Sequence, residues 1–152
     1  MKCKMQNKPC RRKKVEPSSD EVDEGIPKDF GDIITADHII IGDAEDESRH
    51  GDMTALIIQD RATRWLDCYP AVTKSAANTV KSLQHFVGPQ DQVKLLYSDG
   101  AHENGAASDQ MAWRHDIATP NRPQTNGVAE RAVKRVLEGT RTTLYASGLG
   151  HI

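Results

Sequence analysis

Three features are scarce in this chain, and each shortage closes off a class of protein. Cysteine is the first: Cys3, Cys10 and Cys68 are the full complement, an odd number that argues against a disulfide scaffold. Cys3 and Cys10 stand too far apart for a compact Cys-x-x-Cys knuckle, and no histidine lies near them to complete a zinc site. Free thiols in a reducing compartment are expected. Long apolar runs are the second. None reaches membrane length, and the N-terminus has no apolar signal-peptide core. The expectation is a soluble, intracellular protein with no membrane partner. Net charge is the third: it is −2 at pH 7, so the whole-chain balance points to no partner. The six histidines show no metal-ligand spacing, and there is no internal repeat.

What is present is unevenly spread. Lys2 to Lys14 hold seven basic residues and no acid, after which Glu16 to Glu24 turn acidic. Such stretches are more often solvated and disordered than dedicated nucleic-acid arms. Residues 1–30 therefore read as a charged, disordered tail, although the Arg11–Lys14 run fits nuclear import. Residues 31–152 are enough for one domain with a real core.

The folded part opens on "DIITADHIIIGD" (32–43), an Ile-rich run suited to a strand buried on both faces and interrupted by Asp37. A polar loop leads to a second strand at 53–60 and, after a short turn at Asp60–Arg61, to a third at 63–72. That order suggests an antiparallel meander. The period then changes: Ala76, Val80, Leu83 and Val87 recur at helical spacing, with Ser75 as N-cap and Gly88-Pro89 as stop. A strand at 92–99 ends on Asp99. A short helix within 104–113, a short strand at 116–120 and a helix from about Gly127 to Ala146 complete a βββαβαβα order. This is an α/β chain with a mixed sheet. In the last helix Ala129, Ala132, Val133, Val136, Leu137 and Leu144 form the apolar stripe, and Glu130 stands at its border. Pro120 and Pro123 read as an extended lead-in, and Asn126-Gly127 as the turn and cap that set the helix start. Trp65 and Trp113 read as core residues rather than base-stacking platforms.

Three acids stand out by position: Asp37 in a buried strand, Asp99 at a strand end before Gly100, and Glu130 in the first turns of the last helix. Each has a structural alternative. Asp37 can form a buried ion pair, Asp99 can be a turn residue, and Glu130 can pair with Lys134 at i,i+4. If the first and fourth strands are neighbours, however, Asp37 and Asp99 lie side by side. Like charges at that range raise each other's pKa unless a cation sits between them. Hard divalent ions, Mg²⁺ above all, take such oxygen ligands.

Three segments then carry a resemblance to a known family: "DIITADHI" around Asp37, "VKLLYSDGAHEN" around Asp99, and "IATPNRPQTNGVAERAVKRVL" around Glu130. Together with "LIIQDRATRWLDCYPAVTKSA" they resemble the integrase catalytic core of retroviruses and LTR retrotransposons, especially the copia type, over residues 30 to 147. The resemblance implies a ribonuclease H-like fold: a mixed five-stranded sheet, three antiparallel strands followed by parallel ones, flanked by helices. It implies a D,D,E triad at Asp37, Asp99 and Glu130 holding two Mg²⁺ ions, with Mn²⁺ as substitute. One ion activates the attacking water or hydroxyl and the other stabilises the leaving 3′ oxygen. Lys134 and Asn126 are candidate DNA contacts, and Asp60 reads as a turn residue rather than a ligand. DNA and at least a second copy of the chain are the expected partners, with no small-molecule cofactor. Thirty residues separate Asp99 from Glu130, fewer than is usual in the family, and Gly100-Ala101 stand where Asn-Gly is common. The family's zinc module and C-terminal DNA-binding domain have no counterpart here, as in a C-terminally truncated fragment. The leading expectation is a DNA integration enzyme that trims a 3′ end and transfers it. A non-catalytic nucleic-acid-binding retroelement remnant and a ribonuclease H-type nuclease are the alternatives.

Overall fold

The computed structural model describes residues 26–40, 48–89, 92–119 and 123–148. Eight elements follow in order: β1 (Ile34–Ile40), β2 (Thr54–Asp60), β3 (Leu66–Ala71), α1 (Ala76–Val87), β4 (Leu95–Ser98), α2 (His102–Met111), β5 (Arg114–Ile117) and α3 (Pro123–Ala146). The sheet has five strands in the order β3-β2-β1-β4-β5. β1–β2 and β2–β3 are antiparallel, while β1–β4 and β4–β5 are parallel. This is the expected ribonuclease H-like arrangement. Cys3, Cys10 and the basic run lie outside the described residues. No described helix is long and apolar enough to cross a membrane.

Strand alternation divides the core into two layers. Ile34 and Ala36 of β1, Leu56 and Ile58 of β2 and Leu96 of β4 form one buried cluster with Val80, Leu83, Phe86 and Val87 of α1 and Ala107 of α2. Ile57 on β2 and Ala129 and Ala132 on α3 are also buried but stand outside that cluster. Because α3 packs on β1 and β2, these residues belong to the opposite face. Thr35, Asp37 and Tyr97 share the parity of Ile57 through their register partners. The small Ala129 and Ala132 let α3 lie close to the sheet. Beyond Leu137 the helix is exposed, and Leu144 is 49% exposed, so the apolar stripe outruns the sheet it covers.

The helix ends follow local chemistry. The Ser75 hydroxyl caps α1 by accepting the Asn78 N–H at 3.3 Å, and Gly88 ends it with φ +78°. Phe30 stacks on Phe86 of α1, with ring centroids 5.8 Å apart, so the packed body includes this residue. α2 ends on Ala112 with φ 54°, a left-handed conformation that costs alanine about 1 kcal/mol. Ala112→Gly is therefore expected to raise stability by roughly 0.5–1 kcal/mol, read as a higher urea midpoint at unchanged slope.

Two expectations require correction. Trp65 is 58% exposed; it follows Arg64, whose φ of 66° turns the chain into an edge strand with the indole outward. Trp113 does pack against the core. Secondly, α3 begins at Pro123 rather than near Gly127. Proline lacks only an N–H that the first helical turn leaves unpaired, and its fixed φ suits that position. Pro123 thus starts the helix that it was expected to delay. Gly127 has no left-handed backbone, so Asn126-Gly127 is part of the helix and not its cap.

Candidate active site

The parallel pairing of β1 with β4 runs Ile34↔Leu96, Thr35↔Tyr97, Ala36↔Ser98. Asp37 and Asp99 are the next residue on each chain. The register brings these two acids side by side, Asp37 midway along β1 and Asp99 just past the end of β4, on the face that α3 covers. Asp37 is half-buried and has no ion pair among the described residues. Burial, then the charge of Asp99 and more weakly that of Glu130, push its carboxyl above the usual carboxylate range; the His38 N–H and the Lys74 ammonium oppose this. The ion-pair alternative for Asp37 is therefore not what the fold contains.

Both carboxylates are held by one oxygen. Asp37 Oδ1 accepts the His38 N–H at 2.9 Å. Asp99 Oδ1 accepts Asn104 Nδ2–H at 2.7 Å and the Ala101 N–H at 3.3 Å. Asp99 thus lies at the start of α2, where the helix dipole favours an anion. Below it the fully buried Ser98 hydroxyl donates to the Asp99 carbonyl at 3.0 Å and meets His115 Nε2 at 2.8 Å. Asn104 is itself wholly buried, and its Oδ1 has no protein partner among the described residues. Its place in sequence marks it only as a departure from the Asn-Gly pattern. What gives it a function is the first turn of α2, which folds it back onto Asp99.

Glu130 lies on α3 with its side chain exposed and makes no ion pair among the described residues. Lys134 pairs instead with Glu138, at 3.6 Å with both side chains well exposed, a contact worth little. The side chain of Asn126 lies outside the described residues. Asp60 is the turn residue expected: fully buried, it accepts the Gly31 N–H and the Thr63 N–H and hydroxyl. Lys74, in the loop before α1, was not singled out by sequence. Its ammonium is 3.8 Å from Glu103 of α2.

Among the described residues no group of three or more His, Cys, Asp or Glu side chains is close enough to hold a metal ion. The donor chemistry nevertheless fits one. Asp37 and Asp99 are hard oxygen donors, each with an uncommitted Oδ2, and their mutual repulsion is what a cation relieves. What is lacking is a third ligand drawn in, and Glu130 is exposed and uncommitted.

In sequence, no family model and no curated protein matches the chain. In structure, it is similar to a chain of the simian T-cell lymphotropic virus intasome in complex with PP2A regulatory subunit B56 gamma. That match has a TM-score of 0.61 at 14% identity and covers 84% of this chain and 46% of the other. The chain thus spans about half the length of that relative. It is also similar to the catalytic core domain of BIV integrase, with a TM-score of 0.53 at 14% identity, covering 77% of this chain and 73% of that one. The fold is that of a retroviral integrase catalytic core. At this identity the likeness defines architecture, and the chemistry has to be argued from the side chains.

Proposed function

We propose that the chain is the catalytic core of a retroelement integrase, a metal-dependent polynucleotidyl transferase acting on DNA. The observation that carries this reading is the placement of Asp37 and Asp99 one register step beyond Ala36↔Ser98, as an uncompensated acid pair beneath a helix that carries Glu130. An acid pair with a purely structural role would be expected to have a cation in contact; here the hydrogen bonds fall on one oxygen of each carboxylate and leave the other free among the described residues.

Asp37, Asp99 and Glu130 would hold two Mg²⁺ ions, or Mn²⁺ in their place, with Asp37 shared. When bound, such ions supply charge that offsets the phosphate and the attacking and leaving oxygens. The chain's own part is position. The His38 N–H fixes Asp37 and Asn104 fixes Asp99, while Glu130, exposed on α3, would have to turn inward to complete the set. In the first reaction water breaks a P–O bond near a DNA end and leaves a 3′ hydroxyl. In the second that hydroxyl attacks a phosphodiester of a target strand, one P–O bond forming as another breaks, so no further co-reactant is needed. Lys134, on the exposed side of α3 one turn past Glu130, and Asn126 near its start would contact DNA phosphates. Such contacts position the duplex without reading its sequence. Action on a DNA end and a target together calls for more than one copy of the chain.

A second reading, a non-catalytic nucleic-acid-binding relic, is favoured by one observation: the acids do not close around a common point. A hybrid-cleaving nuclease shares the fold and has no observation of its own. Glu130→Gln separates the first two. With Mg²⁺ or Mn²⁺ and labelled DNA, the wild type is expected to nick and to transfer strands, and the variant to lose both by on the order of a hundredfold or more while staying folded. Equal inactivity of the two folded proteins would favour the relic.

A further inference from the structure

Asp99 is held at two levels. Its carboxylate accepts from Asn104 and Ala101, and its main-chain carbonyl accepts the Ser98 hydroxyl at 3.0 Å. Ser98 is the register partner of Ala36, a member of the core cluster beneath α1 and α2. Its side chain therefore lies on the face opposite α3 and reaches Asp99 through the main chain. A hydroxyl has one hydrogen and two lone pairs. With the Ser98 hydrogen committed to the Asp99 carbonyl, its oxygen can only accept from His115 Nε2, 2.8 Å away, so Nε2 carries the hydrogen. Ser98 is fully buried, and both bonds are sheltered from competing solvent. His115 is half-buried and stands opposite Leu96 on β5; the reaction proposed above makes no use of it. β5 and the residue after it grip the same stretch elsewhere. The Ala118 N–H donates to the Ser98 carbonyl at 2.8 Å, and a Cβ on Gly100 would stand 3.4 Å from Ile117 Cγ2.

We propose that His115 is a positioning residue for the metal site: its Nε2–H holds the Ser98 hydroxyl on the Asp99 carbonyl, and this fixes the main chain that presents the Asp99 carboxylate. The proposal rests on the metal-binding reading above. The direction of the Asp99 carbonyl is set by the ψ angle of Asp99. That angle decides where Gly100 and Ala101 follow and where α2 begins. The Ala101 N–H and, three residues on, the Asn104 amide are the two donors on Asp99 Oδ1. A carbonyl free to turn would carry both donors with it, and Oδ2 would lose its aim. His115 thus acts on the carboxylate from the far side of the sheet, through a serine and a peptide plane, as outer partners of metal ligands do.

The test is Mn²⁺ binding to the full chain without DNA, with free Mn²⁺ read by electron paramagnetic resonance at a temperature where each variant is folded. His115→Leu and Ser98→Ala are each expected to weaken binding on the order of tenfold. The double variant is expected to bind no more weakly than the weaker single one, because the two residues act as a unit. His115→Gln keeps an N–H at the reach of Nε2 and is expected to bind close to wild type. His115→Asn, whose amide is too short to reach Ser98, carries the expectation of Leu should the Leu variant fail to fold. A pair that only joined β4 to β5 would lower the urea midpoint and leave the affinity of the folded chain unchanged. That result overturns the proposal, and so do additive losses. So does a ring hydrogen found on Nδ1 alone by NMR of the His115 nitrogens, since Ser98 would then donate to the ring and release the Asp99 carbonyl. Asp37→Asn separates the two levels. If wild type and Asp37→Asn bind Mn²⁺ equally, or neither binds, the metal reading has failed and this proposal falls with it. If Asp37→Asn loses binding and folded His115→Leu keeps it, the metal reading stands and only the positioning role is wrong.

Discussion

Asp37→Asn is expected to abolish metal-dependent nicking and strand transfer while making the metal-free chain more stable. The two effects have one cause. In the folded chain the Asp37 carboxyl is pushed up by burial and by the charge of Asp99, so folding makes it a better proton acceptor than it is in the unfolded chain. Between the unfolded and folded pKa values the native state holds more protons than the unfolded state. Stability therefore falls as pH rises from the ordinary carboxylate range through the raised value of Asp37. Above that window the ionised native site is left with an unrelieved repulsion. Asparagine removes the charge at nearly constant shape, and so removes both the repulsion and the slope. It also removes the ligand that both metal ions would share, at a cost to the rate on the order of a thousandfold. Urea melts across pH with a chelator present, for wild type and variant, read the stability effect. Saturating Mg²⁺ is expected to flatten the wild-type slope and to leave the variant unchanged. A variant less stable than wild type at neutral pH would mean that Asp37 is stabilised in the fold, and the acid-pair account would be wrong.

Much of this site was legible because two acids occupy positions at which strands do not tolerate acids casually. Asp37 breaks an Ile-rich run and Asp99 ends the strand-like segment "QVKLLYSD", and the parallel β1–β4 pairing that joins them follows from the βββαβαβα order. Less legible was where elements begin. β5 spans Arg114–Ile117, earlier than the expected 116–120, because its limits come from pairing with Leu95–Ser98 and not from its own weak pattern. At Pro123 the sequence signal is two-sided, since a proline that ends one helix can start another. Asn126-Gly127 has turn propensity, but Ala129 and Ala132 pack the helix onto the sheet and that packing prevails. Trp65 shows the reverse: a residue that normally seeks the core is turned out by the backbone of its predecessor. Asn104 carries no local signal at all. An asparagine in a first turn acquires a role only when the fold sets its amide against Asp99.

The largest stability loss is expected far from the acids, at Asp60. Its carboxylate is fully buried and accepts the Gly31 N–H at 3.0 Å and the Thr63 N–H and hydroxyl at 2.7 Å each. Gly31 in turn accepts the Lys94 N–H at 2.8 Å just before β4. One carboxylate thus ties the lead into β1, the β2–β3 turn and the approach to β4. Asp60→Ala strands these donors in the interior and is expected to cost about 4 kcal/mol, a large part of what a domain of this size has. Asp60→Asn offers one carbonyl but sets an amide N–H₂ against donors, and about 2 kcal/mol is expected. Gly31→Ala strikes the same junction from the other side. At φ +85° an added Cβ would lie 2.3 Å from the Gln92 carbonyl oxygen, so backbone must move, at about 3 kcal/mol. Because both changes break the Gly31–Asp60 bond, the double variant should lose less than the sum, and urea midpoints of the four proteins measure this directly. The junction also fixes function. β1 pairs Ile34 with Asp60 on one side and with Leu96 on the other, so slack here is carried along β1 into the register that places Asp37 beside Asp99. Asp60→Asn is accordingly expected to weaken Mn²⁺ binding under conditions where it is still fully folded, although it touches neither acid. Unchanged affinity would show that β1–β4 pairing alone holds the acid pair in place.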